Sequence, residues 1–125
     1  MTQKNKQLLL KDLCARLPYG VKATTTSNGW SDVYIVSGCN DDRIYLDCPV
    51  YDEGDDEWLI ESVKPYLRPM SSMTEDEVKK YDGILSNYDV NNLFLALGFL
   101  NSIHIDYNGL IPKGLALEAP EGMYN

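Results

Sequence analysis

The sequence predicts an α+β fold in a single domain, residues 1–125: an N-terminal helix, an antiparallel meander of three or four strands, two further helices and an extended C-terminal arm. Three observations carry that expectation. Apolar residues recur with a helical period near the start, strand-like alternation broken by Asn, Asp and Gly fills residues 21–63, and a helix-capping pattern opens at Thr74.

In residues 2–17 the apolar positions Leu9, Leu10, Leu13, Cys14 and Leu17 form one stripe, with Lys4, Lys6, Gln7, Lys11, Asp12 and Arg16 mostly elsewhere. Pro18-Tyr19-Gly20 ends this helix and turns the chain. Residues 21–26 read as a strand with Val21, Ala23 and Thr25 on one face. Ser27-Asn28-Gly29 supplies residues that tolerate the positive φ of a tight turn, and residues 30–39 follow as a strand apolar on both faces. After Asn40-Asp41-Asp42, residues 43–50 point Ile44, Leu46 and Cys48 inward and Arg43, Tyr45 and Asp47 outward. Residues 51–57 form a charged loop at the tip of the sheet, and residues 58–63 return as a short fourth strand that Pro65 stops.

Residues 63–77 join the sheet to the helices. Pro65 and Pro69 argue against a regular ladder or helix through residues 65–69, yet Tyr66, Leu67, Met70 and Met73 are too apolar for a free linker. The segment is therefore expected to pack against the first helix or the C-terminal arm and to bury Tyr66, Leu67 and Met70. Thr74-Glu75-Asp76-Glu77 fits a capping box, starting a helix that runs to Tyr81, where Asp82-Gly83 weakens it. Ser86-Asn87-Tyr88-Asp89 offers a new N-cap for residues 90–102. That helix carries Val90, Leu93, Phe94, Leu97 and Leu100 on one face with Leu95 and Phe99 beside it, and so broad an apolar face predicts the most buried helix. Beyond turns at 106–109 and 112–114, Leu115-Ala116-Leu117 is a short strand or a docked arm.

Charge is uneven. Residues 1–22 hold five basic residues against Asp12, which leaves −12 for the remainder of a chain with net charge −8. Residues 41–57 alone hold eight acids against Arg43, so a nucleic-acid partner is disfavoured, because phosphates need converging cations. The longest apolar run, 93–100, is too short to span a bilayer, which takes about 20 residues, and the N-terminus lacks a signal-peptide core. Cys14, Cys39 and Cys48 are an odd, widely spaced set, expected to be buried reduced thiols of a cytoplasmic protein.

Few residues demand a chemistry. The acidic stretch 52–57 lacks the alternating acids, glycine and terminal glutamate of a calcium loop, and is expected to be a solvated tip. His104 is the only histidine. A zinc site of Cys39, Cys48 and His104 fails on distance, since hairpin pairing would set the two sulfurs about 17 Å apart. His104 with Asp106 and Ser71, Ser72 or Ser102 could be written as a triad, but such proximity in sequence supplies no geometry. The glycine spacing of residues 109–114 imitates a phosphate loop, and Leu115-Ala116 stands where Lys and Ser/Thr are required. No catalytic residue, metal site or cofactor is expected. The candidate binding residues are aromatic and basic: Tyr34, Tyr45 and Trp58 on the sheet, and Tyr66 and Arg68 in the connector. Lys64, Lys79 and Lys80 could add to an anion grip.

Residues 6–22, 64–77 and 106–125 together resemble a family of small uncharacterised proteins of gut bacteria, their phages and mobile elements. The resemblance covers under half of the chain and implies a mobile-element setting without implying an activity. With the residue inventory, it leads to the expectation of a non-enzymatic binding protein acting on a protein or a small ligand. Two rivals follow from the acids: an inhibitor that mimics nucleic acid, which requires a strip of carboxylates spaced like phosphates, and a small carboxylate-dependent enzyme, which requires a pocket with at least two acids.

Overall fold

The computed structural model describes residues 1–26, 29–30, 32–47, 55–86 and 89–124. Helix α1 (Gln3–Arg16) is capped by the Thr2 side chain, which accepts from the Asn5 N–H, and it ends in a 3-10 turn at Leu17–Tyr19. Gly20 follows at φ 67°, a left-handed conformation that suits glycine. Strands β1 (Lys22–Thr25), β2 (Tyr34–Asn40), β3 (Arg43–Asp47), β4 (Asp55–Leu59), β5 (Val63–Leu67) and β6 (Leu117–Glu118) form one sheet in the order β4-β3-β2-β1-β5-β6. All neighbours are antiparallel except β5 and β6, which are parallel. Helices α2 (Glu75–Leu85) and α3 (Val90–Ser102) lie between β5 and β6 in sequence. The α+β class, with a leading helix, a strand meander and two later helices, is thus the observed one.

One core joins these elements. Leu9 and Leu13 of α1 pack with Val21, Ala23, Val36, Ile44, Leu46, Val63 and Leu67 of the sheet region and with Leu110, Leu115 and Ala116 of the arm. Each buried Leu or Val stabilises the fold by about 1.5–3 kcal/mol.

The sheet departs from expectation in three places. Its fourth strand begins at Asp55, inside the segment expected to be a loop, and reaches Leu59 before a 3-10 turn at Ile60–Ser62. The stretch expected to break the ladder is itself a strand, β5, and Pro65 stands opposite Ala23 between two neighbouring strands. The β2–β3 register closes on Asn40 and Arg43, one residue tighter than the turn chemistry suggested, and a bulge at Ser37 restores alternation. Cys48, residues 27–28 of the first turn, residues 87–88 before α3 and residues 52–54 of the acidic stretch lie outside the described residues.

Two readings of α1 are corrected. Asp12 and Arg16, expected on the solvent side, are 1% and 0% exposed. They can be buried because they neutralise each other: Arg16 Nε and Nη2 donate to the two Asp12 carboxylate oxygens at 2.6 and 3.1 Å, Nη2 also reaches the Ile105 carbonyl, and Asn108 Nδ2 donates to Asp12. The Tyr107 ring lies under the guanidinium, 5.1 Å from its carbon. Cys14, expected in the core, is exposed and forms a disulfide with Cys39 of β2, their Cα atoms 6.4 Å apart. Residue spacing alone could not show that the α1–β2 packing brings these two together.

Candidate functional site

Two features stand out: a cavity where the connector meets the C-terminal arm, and the outer surface of the α2–α3 pair.

The cavity, about 570 Å³, starts from how α3 ends. The His104 N–H bonds to the Asn101 carbonyl and the Ile105 N–H to the Leu100 carbonyl, the paired bonds of a Schellman cap, with buried Leu100 and Ile105 in the accompanying apolar contact. The residue at the left-handed position of such a cap is usually glycine; here it is His104, at φ 65°. Its compensation is a ring stack on Tyr124, centroids 3.7 Å apart. Arg68 then ties the connector to this corner. Its N–H donates to the His104 carbonyl, and its carbonyl accepts from Asp106.

The Arg68 side chain is fully engaged. Nε donates to Ser72 Oγ, Nη1 to Glu77 Oε2 and the Ile103 carbonyl, and Nη2 to Glu77 Oε1 and the Ser72 carbonyl. A guanidinium has five N–H donors, and each has an acceptor. The same Glu77 closes the capping box, accepting from the Thr74 N–H at 2.9 Å while its own N–H reaches Thr74 Oγ1. The hydrogen bonds from Arg68, helped by Thr74, hold the Glu77 carboxyl down at about 2.

Tyr124 supplies the opposite wall and repairs the sheet. Extending the β1–β5 register by one step would put Lys22 opposite Tyr66. In place of a direct ladder bond, the Tyr124 hydroxyl accepts from the Lys22 N–H at 2.8 Å and donates to the Tyr66 carbonyl at 2.7 Å. Lys22 Nζ also bonds the Met123 carbonyl. Burial pushes the Tyr124 phenol up to about 12. Burial, reinforced by the charges of Arg16, Arg68 and Lys22, pushes His104 down to about 4, so its ring is neutral near pH 7. Neither group exchanges a proton near neutrality, where general acid–base work is efficient.

The chemistry weighed from the sequence resolves at this corner. Asp106 does not orient His104 as a triad acid: its two oxygens accept the Leu110 and Ile111 N–H groups at 2.8 and 3.0 Å, and His104 Nδ1 is buried without a hydrogen-bond partner. Ser102 and Ser72 donate to the carbonyls of Phe99 and Pro69. Three acids, Glu77, Glu118 and Glu121, line the cavity, but Glu77 is held by Arg68 while the other two are exposed. Among the described residues, no group of three or more His, Cys, Asp or Glu could hold a metal ion.

The five candidate binding residues do not converge. Trp58, paired with Ile44, and Tyr34 pack against the core, whereas Tyr45 lies on the other face beside Gly38. Tyr66 is buried, and Arg68 alone of the five lines the cavity, with no donor to spare. The basic cluster is equally dispersed: Lys64 lies over the Trp30 ring at 4.6 Å and Lys80 over Phe99 at 5.0 Å. Of the acids, Asp41 and Asp42 sit at the β2–β3 turn, Asp47 pairs with Asp55 at the far end of β3, and Arg43 bridges Asp42 and Glu57 between them. Among the described residues this is no evenly spaced strip.

The α2–α3 surface is the feature that sequence reasoning missed. Helix α3, expected to be the most buried, exposes Val90, Leu93, Phe94, Leu95 and Leu97 by 43–69%, and buries only Ala96, Leu100 and Asn101. Helix α2 has no buried residue, and its Val78 is 41% exposed. The signal is present in the sequence. Leu95 and Phe99 fall beside the main stripe, and a helix apolar on most sides belongs either inside a core or against something else.

No family model, curated protein or solved structure matches the chain.

Proposed function

We propose that this chain is a non-enzymatic interaction protein that engages a protein partner through the uncovered apolar surface of α2 and α3. One observation carries the proposal: five large apolar side chains of a single helix, uninterrupted by any charge from Val90 to Ser102, face solvent. A concentration of exposed large apolar side chains of this kind marks an interaction site more often than a bare surface. The cavity supports the non-enzymatic half of the reading, since its histidine and tyrosine titrate far from neutrality and its arginine is saturated.

The biological setting we infer is that of a phage or mobile element of gut bacteria, on the resemblance of the two ends and the connector. Among the described residues, no helix is long and apolar enough to cross a membrane. The cytoplasmic expectation rested partly on unpaired thiols, and the Cys14–Cys39 disulfide removes that support.

The test is affinity capture with the wild-type chain, a Phe94→Glu/Leu95→Glu variant and a Tyr45→Ala control. The expected result is a partner retained by wild type and control and lost by the double variant. Equal capture by all three would refute the assignment of the surface.

A further inference from the structure

We infer that the partner on this surface is a second copy of the chain, with two α2–α3 pairs meeting across a two-fold axis as a four-helix bundle. The inference rests on the interaction reading above and adds the identity of the occupant.

The area is adequate. Val78, Val90, Leu93, Phe94 and Leu97 are 41–69% exposed, and the last four share one face of α3, with Leu95 beyond it. Taking about half the apolar area of an extended aliphatic or aromatic side chain for each of the five gives on the order of 500 Å² per protomer, and about 1,000 Å² for a symmetric pair. That reaches the area of about 1,000 Å² expected of a specific interface.

Charge favours a copy of the same helix at the seam. A two-fold interface sets a patch against itself, so any charge at its centre would meet its own kind. Helix α3 has none over its 13 residues. The charges of α2 beside Val78 are of both signs, Glu75 and Asp76 against Lys79 and Lys80, while the chain's net charge of −8 repels a second copy at long range, so screening by salt should strengthen the association.

Packing supplies the third argument. The α2–α3 pair has contacts between its two helices but little core of its own: α2 buries nothing, and the first half of α3 is exposed on most sides. Two short helices joined by a brief connection complete an ordinary bundle when a second pair faces them.

The experiment is sedimentation equilibrium of the full chain at low and high salt, beside Phe94→Glu and Leu93→Glu, with hydrogen exchange of the wild type at two concentrations. The expected result is a wild-type mass of twice 14.1 kDa that tightens with salt, variants that sediment as folded monomers, and concentration-dependent protection of the Leu93–Leu97 amides. A wild type that stays monomeric to about 100 μM overturns the inference. A dimer that survives both substitutions, or one without protection on α3, overturns it as well. Monomeric behaviour alone leaves the interaction reading to the capture experiment, so the two ideas fail separately.

Discussion

Replacing Tyr124 by phenylalanine keeps the ring that stacks on His104 and removes only the hydroxyl. That hydroxyl links the Lys22 N–H to the Tyr66 carbonyl at a position where the two strands do not bond each other directly. The substitution orphans one donor and one acceptor beside the core. An unsatisfied buried polar group costs about 1–3 kcal/mol, and because both bonds are only part-buried the two orphans fall in the lower part of the summed range, so Tyr124→Phe should lower stability by about 2–4 kcal/mol, less whatever the strands recover by closing on each other. Urea denaturation would show it as a fall in midpoint of about 1–2 M at an m value near 2 kcal/mol/M. Alkali gives an independent readout. The phenol is held at about 12 in the folded chain against about 10 unfolded. Below pH 10 both states keep the proton; between 10 and 12 only the unfolded chain has released it, so stability falls as pH rises through this window, by at most about 2.7 kcal/mol. The variant should lack that part of the alkaline loss. A Tyr124→Phe chain within about 0.5 kcal/mol of wild type, with an unchanged alkaline slope, would refute the bridging role.

Acid titration tests the same corner from the other side. His104 is held near 4 against an ordinary 6.5, so the neutral ring's contribution is complete above pH 6.5 and disappears as pH falls through 4; with a single histidine in the chain, its ring protons report this directly by NMR, and a midpoint near 6.5 would contradict the burial argument. Glu77, held at about 2, contributes stability that is present above about pH 4.5 and lost as pH falls through 2; Glu77→Gln should cost about 1–2 kcal/mol at neutral pH, discounted for partial exposure, and should cost much less at pH 2. Reduction of the Cys14–Cys39 disulfide, which closes a loop of 25 residues, should lower stability by about 3 kcal/mol; a chain whose urea midpoint ignores reductant would show that the bond constrains nothing.

Local chemistry was the most legible part of the sequence. The Thr74–Glu77 capping box is present as its spacing implied, Ile44 and Leu46 point inward on β3, and the connector does dock on the arm, with Tyr66 and Leu67 buried although Met70 is 48% exposed. Long-range placement was harder to read. Pro65 argues against a strand on local grounds, but a strand position needs its N–H only if a neighbour calls on it, and Tyr124, distant in sequence, finishes the ladder at this point. Asp12 and Arg16 look like solvent-facing charges because, although they neutralise each other at i,i+4, the groups that complete their buried hydrogen bonding, Ile105 and Asn108, lie some ninety residues away. The cavity is invisible for the same reason, being assembled from the end of α3, the connector and the arm. The surface of α3 is a different case. Its apolar breadth is plain in the sequence, but burial within the same chain is only one way to satisfy it, and the periodicity does not distinguish that way from a partner.

The same surface offers the most direct test. A photo-crosslinking phenylalanine analogue placed at position 94 should give a covalent adduct to a protein partner under native conditions, while the same analogue at position 45, on the opposite side of the sheet from the core, should give none. Adducts from both positions alike, or from position 45 alone, would contradict the assignment of α3 as the contact surface.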